Sequence, residues 1–274
     1  MVDYSVISAY IITSAITDKM SNSQIKASNK FIPWLDVVAI AAWGILMLKY
    51  WLTGKLYLLI HPDYFWLAIV GGIGLLIVGF FKGLQLWKHR HQADKANALH
   101  INVFPPGWGS FLLLTAAILG LMITPRAFAS QTALDRGVTE LIGATRVQPQ
   151  AFRAQVRPEE RSLVDWVRTL NVYPEPDAYT GQKVKVQGFV IHQPNVSQEY
   201  IFLARFILTC CAADAYPVGL PVQLPSSSRQ QYPPDTWLEV EGQMTTQTIG
   251  EKRQLTIAAN SLKKIPQPQN PYSY

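Results

Sequence analysis

The sequence predicts a chain in two parts: an α-helical transmembrane N-terminal region, then an all-β, OB-like five-stranded barrel with one preceding helix. Two observations carry this. Before residue 125 there are three apolar runs close to bilayer length, each opening at or just after a proline. After residue 182 the apolar period falls to two, and two of the strands so marked share a Val-x-Gly pattern. Composition agrees: the 274 residues are 49% hydrophobic and 15% charged, whereas charged residues make up about a quarter of an ordinary soluble domain.

Residues 1–30 are polar and carry Lys19, Lys26 and Lys30. They lack the ordered basic, apolar and cleavage regions of a signal peptide and read as a cytoplasmic tail. The membrane region, residues 31–125, is expected to hold helices over about 32–51, 64–81 and 108–124. Pro33, Pro62 and the Pro105-Pro106 pair suit helix starts, where an amide donor is spare. Trp34, Trp51, Trp66, Trp87 and Trp108 stand near the ends of these runs, as interfacial anchors do. Gly72 and Gly79 are one heptad apart, so they share a helix face and permit close packing.

Loop charges orient the spans. The first link, Thr53–Asp63, is short and carries one lysine. The second loop carries Lys82, Lys88, Arg90 and Lys95 against Asp94 alone, which puts it with the lysine-bearing tail in the cytoplasm. Three crossings then leave everything after Thr124 outside. The +6 net charge divides as 9 − 5 = +4 over residues 1–125 and 15 − 13 = +2 over residues 126–274. The basic surplus therefore fits membrane orientation rather than a phosphate-binding face. His89, His91 and His100 in the second loop read as solvated side chains.

A connector, residues 126–157, follows Pro125, with a short helix expected over Gly137–Thr145. The soluble domain is expected over 158–266. It begins with a helix at Pro158–Leu170, which has proline at its start, acids in its first turn, and Leu163, Trp166, Val167 and Leu170 on one face. Strands are expected from Gln182 through Val190, at Tyr200–Cys211, at Tyr216–Leu224, around Leu238–Met244 and at Gln254–Ala259. Gly188 and Gly242 fall at the same phase of the first and fourth strands, as sharply coiled barrel strands require. Residues 267–274 read as an extended, proline-rich tail.

The residues that ask for chemistry are Cys210 and Cys211, the only cysteines, with Asp214 three residues on. One reading alternates the thiols about a strand, one in the core and one outside. The other makes the two thiols and the acid ligands of a transition metal such as zinc. They do not complete the four-ligand set of a structural zinc site. Adjacent cysteines are also poor disulfide partners. Arg205 is the nearest basic residue and a candidate partner for Asp214, and His192 ends the first strand within possible reach of the thiols. No G-x-S-x-G, phosphate loop or H-E-x-x-H motif occurs, so no enzyme is expected.

These features together resemble the YcgQ-like family of permease membrane subunits. The matching features are the three helices with a basic loop before the third, Gly181 with Val184–Gly188 and Phe189, Arg205-Phe206 with Cys210-Cys211-Ala212-Ala213-Asp214, Pro217-Val218-Gly219, and the strand Trp237–Gly242. The resemblance covers about residue 31 onward. It implies a multi-pass subunit of the cell membrane whose partner is a separate multi-helix permease. The expected function is therefore a membrane accessory subunit presenting its barrel outside the cytoplasm. The alternative is an extracytoplasmic metal- or thiol-handling module centred on the adjacent cysteines. Nucleic-acid binding is excluded by the predicted side of the membrane and by the barrel's nearly balanced charge.

Overall fold

A computed structural model describes residues 31–88, 107–138, 157–194, 196–225 and 228–274. The polar tail and the loop bearing His89, His91 and His100 lie outside the described residues. Of the helix expected at 137–145, Gly137 and Val138 are turn, and the rest lies outside them as well. The chain divides into two compact units. Of the described residues, those within 31–53 and 65–124 form one, and those within 54–64 and 125–274 form the other.

The first unit is helical. Helix α1 spans Ile32–Leu52, α2 Phe65–Lys88 and α3 Trp108–Met122. Pro33 lies in the first turn of α1, as its missing amide favours. Helix α2 runs about two turns past the expected Phe81. Lys82 looks like the end of an apolar run, but its ammonium sits 2.8 Å from the Asp36 carboxylate, so the helix continues past it. The Ser110 hydroxyl also donates to Asp36, which joins α1, α2 and α3 at one polar point.

Small residues set the helix contacts. A side chain at Gly44 would come within 2.8 Å of the Gly72 carbonyl, and one at Gly120 within 2.9 Å of Leu46. Gly72 and Gly79 are both buried, as their spacing predicts. Helix α3 stops at Met122 because Ile123 is extended and Pro125 follows. Its spare carbonyls are met by α1: Lys49 Nζ donates to Leu121 O at 2.6 Å and the Tyr50 hydroxyl to Gly120 O at 2.5 Å. By length and composition, Ile32–Leu52 and Pro62–Lys88 can each cross a membrane, and Trp108–Met122 is a shorter apolar helix.

The second unit holds α4 (Ser130–Asp135), α5 (Leu163–Val172) and six strands. These are β1 (Lys183–Ile191), β2 (Tyr200–Ile207), β3 (Tyr216–Gln223), β4 (Trp237–Ile249), β5 (Lys252–Lys264) and β6 (Tyr272–Ser273). The sheet order is β1-β4-β5-β3-β2-β6, and β1 also pairs with β2. Hydrogen bonding thus returns to its start through five strands, with β6 added alongside β2. The sixth strand lies in the proline-rich tail that was expected to be merely extended.

Burial explains what the period shows. Along β1, Val184, Val186 and Gly188 face inward while Lys183, Lys185 and Gln187 are exposed; from Phe189 onward both faces are buried. One core gathers Val184, Val186, Leu220, Leu238 and Val240 against Trp166 and Leu170 of α5. A second, aromatic-rich core gathers Phe189, Phe206, Trp237 and Tyr272 with Leu58, Ala133 and Val138. The connector, the tail and the segment before α2 therefore cover the outer face of β1 and β2.

Glycine is required where strands approach most closely. A Cβ at Gly188 would lie 2.6 Å from the Ala204 carbonyl oxygen, and Gly242 sits beside the β4–β5 register shift that skips Asn260 of β5, against the Ala258 backbone.

Helix α5 starts later than expected. Pro158–Glu160 forms one 3₁₀ turn, Arg161 is extended, and α5 begins after Ser162. Ser162 Oγ accepts the Asp165 amide at 3.1 Å, and the Asp165 carboxylate accepts the Ser162 amide at 3.1 Å. This capping box decides the boundary over the earlier proline. Ser162→Ala is expected to cost about 1 kcal/mol, read as a fall of a few degrees in the melting temperature of the purified chain.

Candidate functional site

Strand β2 was expected to run through Cys211, but it ends at Ile207. Leu208 still donates its amide to Ser273 O at 2.9 Å, and Ala212–Asp214 then forms a single 3₁₀ turn before β3. The cause is Asp214. Its carboxylate accepts the Cys210 amide at 2.8 Å and the Cys211 amide at 3.1 Å, and its own amide donates to Cys211 O at 3.1 Å. A carboxylate that gathers consecutive amides bends the chain into a turn rather than letting it continue as strand. The alternating-strand reading of the cysteines is thereby corrected. Neither thiol is in the core; Cys210 is exposed and Cys211 half-buried.

A second segment holds the turn from outside. Leu59 O accepts the Ala212 amide at 2.8 Å and Cys210 O accepts the His61 amide at 3.0 Å, an antiparallel bridge pairing Ile60 with Cys211. This segment lies between α1 and α2 in sequence but belongs to the same compact unit as the sheet. The His61 ring stands edge-on to Tyr274, with centroids 4.6 Å apart. Leu56 and Leu58 of the same segment are buried. Sequence reasoning treated Thr53–Asp63 as a short link and missed this. The available signal was Leu56-Tyr57-Leu58-Leu59-Ile60, too apolar for a loop lying in water.

The thiols are 3.7 Å apart, and one ligand atom from each of Cys210, Cys211 and Asp214 lies within 4.8 Å of the others. Among the described residues, no other His, Cys, Asp or Glu joins this cluster. Hydrogen bonding to the Asp214 carboxylate, and then to Cys211, pushes the Cys210 thiol up to about 11. Partial desolvation opposes ionisation of Asp214, yet the Cys210 thiol and the backbone amides of Cys210, Cys211 and Thr209 together hold its carboxyl below the usual range. Cys210 is therefore kept protonated, the reverse of an activated nucleophilic thiol.

Arg205 does not serve Asp214. Its Nη2 donates to Asn270 O at 3.3 Å and its guanidinium lies 5.5 Å from the Trp237 ring centre. Among the described residues, no ion pair reaches Asp214; backbone amides take the role assigned to arginine. His192 lies apart from the thiol cluster, its Nε2 2.8 Å from Tyr232 O.

The carboxylate's hold on Cys210 is open to test by alkylation. In a Cys211→Ala background, Asp214→Asn is expected to speed iodoacetamide alkylation of Cys210 at pH 8 by roughly tenfold or more. The sign follows from the raised value: thiolate is scarce until the pH nears 11 and becomes commoner when the carboxylate charge is removed. An unchanged rate would show that the carboxylate does not control this thiol.

Residues 152–274 match the family model of the DUF1980 C-terminal domain. The match includes α5, all six strands and the Cys-Cys-x-x-Asp turn, a little under half of the chain. It is consistent with the resemblance to the YcgQ-like family. No curated protein and no solved structure matches the chain.

Proposed function

We propose that the chain is a multi-pass accessory subunit of a membrane permease, holding an OB-like β-domain on the extracytoplasmic face. The observation that carries this reading is the segment Gly54–Tyr64. It joins two helices of membrane-spanning length, yet it folds into the unit that contains the sheet. A link between two spans shares its side of the membrane with a domain that follows a third span, so the three-span topology and this packing support each other. The positive second loop supports a cytoplasmic N-terminus. Large apolar side chains on α2, among them Leu67, Val70, Ile77 and Phe80, are exposed and suit lipid or a partner's helices.

The ring of five strands, with glycines at its tightest approaches, supports the barrel description. The multi-helix permease partner comes from the family resemblance, and the role is one of binding and transport rather than turnover. Purifying the tagged full-length chain from its own membranes in mild detergent tests the partner. A multi-helix membrane protein is expected to co-elute in fixed ratio. A chain that elutes alone, even after cross-linking in the membrane, contradicts the subunit reading.

A further inference from the structure

We propose that Cys210, Cys211 and Asp214 form an open three-ligand site for a tetrahedral divalent cation of the zinc class. Assigning that cation as the cargo of the assembly rests on the permease-subunit reading above; the site itself does not.

The geometry carries the proposal. Two thiolates bound at about 2.3 Å on a tetrahedral ion stand about 3.8 Å apart. The Cys210 and Cys211 sulfurs stand 3.7 Å apart without an ion between them. A thiol–thiol hydrogen bond also spans that distance, so the remaining features decide. The third donor, an Asp214 oxygen, lies within 4.8 Å of both sulfurs. The Asp214 oxygens accept the Cys210 and Cys211 amides, which fix the carboxylate beside the two sulfurs. Two soft sulfurs with one carboxylate select a borderline ion over calcium or magnesium, whose ligands are oxygens.

The surroundings fit a binding site better than a packing role. Free cysteines that serve only as packing are usually buried, and Cys210 is exposed. The backbone beneath the ligands is fixed from two sides, by the Asp214 turn and by the Leu59–His61 bridge. Preorganised donors on an exposed turn, with the fourth position open, suit an ion that must arrive and leave. A structural site would close all four positions.

The test is cobalt(II) titration of the reduced full-length chain in detergent. The expected result is about one ion per chain, with the intense visible bands of tetrahedral cobalt and a sulfur-to-metal charge-transfer band. Zinc added afterwards should bleach both. The Cys210→Ala/Cys211→Ala chain should lose the ion and both bands, and Asp214→Asn should weaken binding roughly tenfold or more. If the double variant does not fold, Cys210→Ala alone, at an exposed position, should still remove the charge-transfer intensity contributed by that sulfur. Absence of binding by the folded wild-type chain would overturn the proposal. So would an octahedral spectrum without charge transfer, or a folded double variant that binds as well as wild type. Failure here with the permease partner still co-eluting removes the cargo assignment and leaves the subunit reading intact. Binding without a partner leaves the site standing and removes the subunit reading together with the cargo assignment.

Discussion

Gly242→Val is expected to abolish the folded C-terminal domain. Gly242 lies at the register shift of the β4–β5 hairpin, opposite Ala259, and a Cβ there would overlap the Ala258 carbonyl group. The obstruction is backbone within a thirteen-residue strand, so it cannot swing aside as a side-chain end would. Relief requires parting β4 from β5, and β5 is the strand through which β4 connects to β3 in the ring. The cost should exceed about 5 kcal/mol, the range reserved for defects of this kind. Limited proteolysis of the membrane-extracted chain should find the wild-type domain resistant and the variant degraded. Thr248→Val, at an exposed position on the same strand, should remain resistant. A protease-resistant Gly242→Val chain would show that the hairpin tolerates a wider separation than the observed contact.

Trp166→Ala should be the most damaging truncation in α5, at about 3–5 kcal/mol. Trp166 is fully buried, with its ring edge-on to Tyr179 at 6.1 Å and under the Arg161 guanidinium at 4.9 Å. It anchors the helix against the inward valines of β1 and β4. Among the described residues its indole N–H has no hydrogen-bond partner, so truncation strands no acceptor and the loss is one of packing. Trp166→Phe should therefore recover most of the stability. Equal melting temperatures for the Ala and Phe variants would contradict a packing role for the indole.

The sequence shows β1 and β4 most clearly because one face of each stays in water over part of its length, whereas β2 and β3 are buried on both faces. Alternation over Lys183–Gly188 and Trp237–Met244 placed β1 and β4 for that reason. The pattern ends at Phe189, where the connector, the tail and the segment before α2 cover the second face. Nothing in a period of two reports a cover supplied from far along the chain. The extra turns of α2 were hidden likewise, because the partner of Lys82 is Asp36, 46 residues earlier. Residue identity marked Cys210, Cys211 and Asp214, but spacing could not show that Asp214 binds their amides rather than Arg205. The capping box at Ser162 is written in the sequence as Ser-x-x-Asp before an apolar run, a signal that a helix start placed at Pro158 leaves unused.

On the proposed topology, the domain bearing the Cys-Cys turn faces away from the cytoplasm. The protein's own two cysteines test it, since both lie in that turn and Cys210 is exposed. A membrane-impermeant maleimide is applied at alkaline pH to intact cells or right-side-out spheroplasts. The Cys210→Ala/Cys211→Ala chain serves as the blank, and the same chain with Ser21→Cys in the N-terminal tail reports on the opposite side. The wild-type chain should be labelled before lysis, and the tail cysteine only after it. Labelling of the wild-type thiols only after lysis, with the tail cysteine labelled before it, would contradict that claim.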